Sequence, residues 1–195
     1  MKNEVIIGLD LAGKEKNATG FAIWRKAYVE AFQIYSNKEI VDTITWAQPI
    51  IVAIDAPLKL PKVGLLRKAD KELLRRGYRI FPPSLTAMRT LTLRGMKLNK
   101  LIARKGFKTI EVHPTSTRKA LKMPTKNWKT IQEIFKNMGV KGTIEERELT
   151  PHELDAITAA LTAYLYIQHL TEAIGNTEEG VVIIPRSLNW REVKL

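Results

Sequence analysis

The chain has 195 residues, 45% apolar and 27% charged, a size and composition that suit one globular domain with a substantial core. It has no cysteine, which excludes disulfides and thiolate metal sites, and no apolar segment as long as a membrane span. The formal charge of +12 is concentrated in the middle: residues 59–129 carry 20 Lys/Arg against 3 acids, a net of +17, while the flanking thirds are slightly acidic.

Three apolar runs open the chain, "EVIIGLD", "TGFAIW" and "YVEAFQIY". Their lengths and short turn-rich links predict an antiparallel meander. "NKEIVDTITWAQ" predicts a short helix capped by Ser36 or Asn37. "PIIVAIDAPL" reads as a fourth strand, apolar enough to be buried on both faces and joined to the first by a parallel, right-handed crossover. In the basic middle, "VGLLRKADKELLRRG" predicts a helix ending at Gly77, and residues 84–106 one long helix or a pair broken near Gly95. Residues 57–107 thus read as a basic helical insertion within a single domain spanning 1–195. "FKTIEVHP" is a fifth strand and "NWKTIQEIFKNMG" a helix ending at Gly139. The strongest helix follows in "TPHELDAITAALTAYLYIQHL": Thr150 is a candidate N-cap, Pro151 suits the first helical position, and Glu153 completes a capping box. Its alanines, 156, 159, 160 and 163, would allow close approach to a sheet. "GVVIIP" is a late strand or a packed tail. The fold class is therefore α/β, a mixed sheet of about five strands flanked by helices. The N-terminus enters a strand almost at once, without the apolar core of a secretory leader, so a cytoplasmic location is expected.

Four acids occupy related places. Asp10 ends the first strand, Asp55 the fourth, Glu111 lies near the end of the fifth, and Asp155 sits in the second turn of the last long helix. The carboxyl ends of adjacent parallel strands share one edge, where ligands bind. The helix N-terminus would favour an ionised Asp155 there. Carboxylates crowded together repel unless a counter-charge neutralises them, and oxygen ligands of this kind select Mg²⁺ or Mn²⁺. One or two such ions suit attack on a phosphodiester. Each acid also has a local explanation: Asp10 and Asp55 as turn acids, Glu111 as a partner of His113 or a lysine, Asp155 as a first-turn helix acid. His113 and His152 are further candidates for metal binding or proton transfer. Gly8 and Gly13, flanking Asp10, would leave room for substrate and a turn.

Together these pieces resemble the RNase H-like superfamily. They are "GLDLAGKEKNATGFAI", "VAIDAPL", "RKADKELLRRGYRIFPPSLTAMRTLTLRG", "IEVHPTSTRKAL" and "HELDAITAALTAYL", and they cover most of the chain. More narrowly, the chain is similar to an uncharacterised microbial family described as predicted RNase H-fold nucleases. The resemblance implies an RNase H-like sheet and a metal-dependent nuclease, with Asp10, Asp55, Glu111 and Asp155 as catalytic metal ligands and His152 as a catalytic partner. It departs from RNase H proper, whose second acid lies on the first helix. Here that helix offers Glu39 and Asp42, and the strand acid Asp55 matches the RuvC-like branch better. One group of superfamily exonucleases places a histidine five residues before the final Asp. His152 precedes Asp155 by three, one helical turn, which leans the reading toward exonuclease action.

The basic stretch is expected to meet nucleic acid. Arg75, Arg76 and Arg79, interleaved with Tyr78 and Phe81, suit backbone neutralisation and base stacking on a single strand, with Lys14 and Arg94 as further contacts. Single-stranded DNA is the favoured partner and RNA the other option. No membrane is involved, and the oligomeric state is open, with a homodimer among the options. Two other classes stay in view: a non-catalytic nucleic-acid-binding module of the same fold, and an actin-like ATP-binding protein. The latter normally needs two such halves, and the chain holds one.

Overall fold

A computed structural model describes residues 4–195. β1 (Val5–Asp10), β2 (Thr19–Arg25) and β3 (Tyr28–Ile34) form the antiparallel meander. α1 (Asn37–Ala47) is capped by Ser36, whose side chain accepts from the Glu39 N–H while Glu39 reaches back to the cap. β4 (Ile51–Asp55) then pairs parallel with β1. After α2 (Lys68–Arg75) and α3 (Thr86–Arg104) comes β5 (Thr109–Val112), parallel to β4. α4 (Pro114–Ala120), α5 (Trp128–Asn137), β6 (Lys141–Gly142) and α6 (Thr143–Glu146) lead to α7 (Pro151–Ile167), and β7 (Thr171–Asn176) and β8 (Gly180–Pro185) close the chain's regular structure. Among the described residues the sheet has eight strands, in the order β6-β3-β2-β1-β4-β5-β8-β7. Among the described residues no helix is long and apolar enough to cross a membrane.

Three strands extend the predicted five. β8 is the "GVVIIP" segment, now paired parallel to β5. β7 and β6 carry no sequence signal: "TEAIGN" is half polar and "KG" is too short to show alternation. α4 was also hidden, because "PTSTRKA" lacks apolar periodicity. Its buried face is polar instead, with the Thr117 hydroxyl hydrogen-bonded to that of Thr162 on α7 at 2.8 Å.

Side chains alternate along each strand, and this alternation decides what meets what. On β1, Val5, Ile7 and Leu9 face α1 and α3, packing with Ile40, Ile44, Leu98 and Ile102. Ile6 faces α7. Gly8 and Asp10 share the parity of Ile6, so Asp10 lies on the α7 side. On β4, Val52 and Ile54 join the first cluster while Ile51 and Ala53 join the second, so Asp55 also lies on the α7 side. α3 runs unbroken through Gly95 and covers one face of the sheet. Part of the 57–107 segment thus contributes to a core layer: Leu98 and Ile102 of α3 are fully buried against β1 and β4. A Cβ at Gly95 would stand 3.0 Å from the Pro57 carbonyl oxygen, so the glycine serves close passage of α3 over the end of β4, not a break.

α7 is buried on nearly all sides: Leu154, Ile157, Leu161 and Leu165, together with the four alanines, are inaccessible. Full burial of each large aliphatic contributes about 1.5–3 kcal/mol. The helix lies directly on the sheet because two strand positions lack side chains. A Cβ at Gly8 would stand 2.0 Å from the Ala156 carbonyl oxygen, and one at Gly20 would stand 1.9 Å from that of His152. Gly8 thus admits the helix rather than substrate. Gly20→Ala is expected to cost about 1–3 kcal/mol through overpacking, read as a fall of about 2–4 °C in Tm per kcal/mol for a chain this long. It should also push the start of α7 away from β1.

Candidate active site

Asp10 and Asp55 are direct neighbours in the β1–β4 register, at the carboxyl ends of adjacent parallel strands and on the same face. Gly20 is the β2 partner of Asp10, and the backbone of His152 rests against it. That contact brings the first turn of α7 to the edge, where His152 Nδ1 lies 2.6 Å from Asp10 Oδ2. The hydrogen bond to Asp10 raises the imidazole pKa against partial burial. Asp155, one turn further along α7, bonds to the Arg118 guanidinium from α4. Three of the four predicted acids and His152 therefore meet at one place.

Asp55 differs from its neighbours in having no cation bonded to it. No group among the described residues donates a hydrogen bond to its carboxylate. Burial first, then the Asp10 and Asp155 charges, push its pKa well above the ordinary carboxylate range. Asp155 is also raised, by burial, with Arg118 opposing. Arg118 is itself buried. It donates to Thr158 Oγ1 (3.2 Å) and the Thr125 carbonyl (3.3 Å), and its guanidinium lies 5.2 Å from the Trp128 ring centre.

Glu111 is brought to the same edge but not into this group. Its register partner is Ile54, not Asp55, so alternation turns it toward α2. There Arg67 grips it with two bonds, Nη2 to Oε1 at 2.6 Å and Nη1 to Oε2 at 2.8 Å, while the Leu58 N–H donates to Oε2 at 2.8 Å. The same guanidinium holds Asp70 through Nε (3.0 Å) and Nη2 (2.8 Å). One arginine thus serves two buried carboxylates. Burial, only partly offset by Arg67, leaves the Glu111 pKa raised. Neither expected local partner, His113 or a lysine, is used: His113 bonds Ser116 Oγ through Nδ1 at 2.7 Å. Burial and nearby Arg118 lower the His113 pKa to about 4, so it is neutral near pH 7.

The expected nucleic-acid contacts divide. Lys14, Arg75 and Arg79 are solvent-exposed. Arg76 is exposed but paired with Glu72 (2.8 Å) and Glu172 (2.7 Å). Tyr78 packs against the small core around Leu73 and Ile184, with the Lys119 ammonium 5.3 Å from its ring centre, so it anchors α2. Arg94 is buried and is not a surface contact. Its guanidinium donates to Asn37 Oδ1 (3.0 Å) and to the carbonyls of Ala12 (2.7 Å) and Tyr35, tying α3 to the loops after β1 and β3. Its charge in a run of exposed basic residues gave no sign of this. Arg67 and Arg118 escaped notice for the same reason, being two cations among 20. Gly20 could have been found from its place opposite Asp10 in the predicted hairpin.

Asp10, Asp55, Arg67, Glu111 and His113 line one cleft, whose other wall comes from Ile80, Phe81, Met88 and Leu91. Among the described residues no three acidic or imidazole side chains form a ready-made metal cage. Mg²⁺ does not require one, since it is commonly held by one or two carboxylates with water and substrate phosphate oxygens completing its shell. Asp10 and the unpartnered Asp55 would supply that minimal oxygen set.

The architecture matches known structures. Thermus thermophilus RuvC aligns over 85% of this chain and 96% of its own, at 14% identity and TM-score 0.52. T. thermophilus RuvC in complex with Holliday junction substrate aligns over the same shares at 14% identity and TM-score 0.54. No protein of curated function matches. The sheet order, the meander and the closing helix across β1 are those of the RNase H-like fold. The family model "Protein of unknown function (DUF429)" matches residues 8–178, and the chain belongs to that family of RNase H-like fold.

Proposed function

We propose that this protein is a divalent-metal-dependent nuclease that hydrolyses phosphodiester bonds in nucleic acid. The observation that carries the reading is the pairing of Asp10 and Asp55 across β1 and β4, with His152 and Asp155 delivered to them by α7. Asp10 and Asp55 would hold Mg²⁺ or Mn²⁺, which when bound stabilises charge on the phosphoryl oxygens and lowers the pKa of attacking water. Asp155, fixed by Arg118, contributes negative potential beside them. His152 is anchored to Asp10 through Nδ1, which leaves Nε2 to carry a proton to or from the solvent side. Glu111 serves through Arg67 as the anchor of α2 and not as a ligand. The exposed Lys14, Arg75 and Arg79 would attract the phosphate backbone. The turn-spaced His152 and Asp155 favour exonuclease action, with single-stranded DNA as substrate.

One observation adds a second substrate to test. The neighbouring RuvC structure holds a Holliday junction substrate, which makes a four-way junction the second DNA to test. A binding module of the same fold without chemistry would instead bind oligonucleotides in a salt-sensitive way and cleave none. Purified protein with Mg²⁺ or Mn²⁺ is expected to degrade labelled single strands faster than duplex or junction, and Asp10→Asn to abolish this. Cleavage that persists in Asp10→Asn would remove the site assignment.

A further inference from the structure

The cleft beside the acids has two unlike walls. One carries Asp10 and Asp55 at the strand ends, and the other is apolar, formed by Ile80, Phe81, Met88 and Leu91. Phe81 is 73% exposed. A phenyl ring that lines a cleft offers a flat face for an aromatic occupant to stack on. The cavity measures about 180 Å³. That exceeds the roughly 150 Å³ apolar cavity known to take up a benzene ring. Exposed Arg79 and Arg89 flank Phe81 and Met88 in sequence and place positive charge near the apolar wall. His113 spends Nδ1 on Ser116, and Nε2 has no hydrogen-bond partner among the described residues, leaving one polar atom for an occupant's edge.

An occupant matching the apolar wall and the arginines beside it carries a flat apolar ring with negative charge near it. A phosphate beside Asp10 and Asp55 would need the divalent ion of the proposed site to offset the two carboxylates. We infer that the apolar wall of Ile80, Phe81, Met88 and Leu91 is a nucleobase pocket, which takes one unpaired base while its phosphate lies over Asp10 and Asp55. In a duplex both faces of each base are stacked and its edge is paired, so a base must leave the helix to enter. The pocket therefore selects single strands, frayed ends or extruded nucleotides by shape, and it accepts varied sequences because every base has a stacking face. This inference rests on the nuclease reading for the position of the phosphate, but not for the base contact itself.

The test is a binding measurement in EDTA, which separates it from catalysis. Fluorescence anisotropy would compare a labelled oligothymidylate of about 12 nucleotides, its duplex with oligoadenylate, and a base-free deoxyribose-phosphate strand of equal length. The oligothymidylate is expected to bind about tenfold or more tighter than the base-free strand. That margin should collapse in Phe81→Ala and in Met88→Gln, neither of which removes a fully buried side chain. Equal affinity for the base-free strand overturns the pocket, even if the protein proves to be a nuclease. A base preference untouched by both variants overturns its location. A base preference that depends on Phe81, with no cleavage under any metal, supports the pocket and removes the nuclease reading instead.

Discussion

Asp55→Asn is expected to make the metal-free protein more stable while removing the proposed nuclease activity. Asp55 is buried beside Asp10 and Asp155 and receives no hydrogen bond, so its charge at neutral pH is opposed by burial and by both neighbours, with Arg118 offsetting only part of this. Its folded-state pKa lies above the unfolded one. Its contribution to stability is therefore fully present below the ordinary aspartate value, near about pH 4, and is lost as pH rises through the folded value. Metal-free wild type should lose stability over that rise, and Asp55→Asn should not. The variant's Tm near pH 7.5 should exceed wild type by about 2–4 °C for each kcal/mol of repulsion removed. Added Mg²⁺ or Mn²⁺ should raise the Tm of wild type, since binding to the folded state alone is stabilising, and leave the variant nearly unmoved. Cleavage should fall about 10³-fold or more, as expected when an ion loses a ligand that places several kcal/mol of charge stabilisation. Calorimetric melts across pH, with and without metal, read all of this. A lower Tm for the variant in EDTA would show that the Asp55 charge is compensated after all.

The second large effect concerns Arg67. Its guanidinium, 1% exposed, holds Glu111 and Asp70, themselves 6% and 3% exposed. Arg67→Met removes one positive charge and strands two negative ones, a change expected to cost about 3–5 kcal/mol. Urea denaturation should show it as a lower midpoint with unchanged slope. Adding Glu111→Gln and Asp70→Asn to Arg67→Met should recover much of the loss, because the cost lies in the uncompensated charges and not in the missing contacts. Glu111→Gln alone should keep cleavage within about tenfold of wild type, in contrast to Asp10→Asn and Asp55→Asn. If Glu111→Gln abolished cleavage as they do, Glu111 would have to leave Arg67 and serve as a ligand when substrate binds.

Much of the frame was legible because it rests on local rules. The strand at Val5–Asp10 announces itself by β-branched residues next to a glycine-flanked acid, and α7 by the Thr150–Glu153 capping box and Pro151. Parallel pairing of β1 with β4 follows from the intervening helix. Legibility failed where a residue's meaning lies across the chain. Arg94 and Arg67 look like the exposed cations around them, yet each is buried by partners in remote segments. β7 forms because β8 presents it an edge, not because "TEAIGN" favours a strand.

The amino-acid sequence by itself determined the central strands β1 to β5, the long helices, the α/β class and three of the residues that gather at the sheet edge, Asp10, Asp55 and Asp155. These follow from periodicity, capping and the rule that strand ends share an edge, all of which act over a few residues. Only the tertiary structure decided that Glu111 stands apart, since a strand's register against its neighbour sets which face each side chain takes, and a one-residue offset reverses it. It also decided which cations compensate which acids. In a stretch of 20 Lys/Arg, composition cannot distinguish the two buried among carboxylates from those left in water.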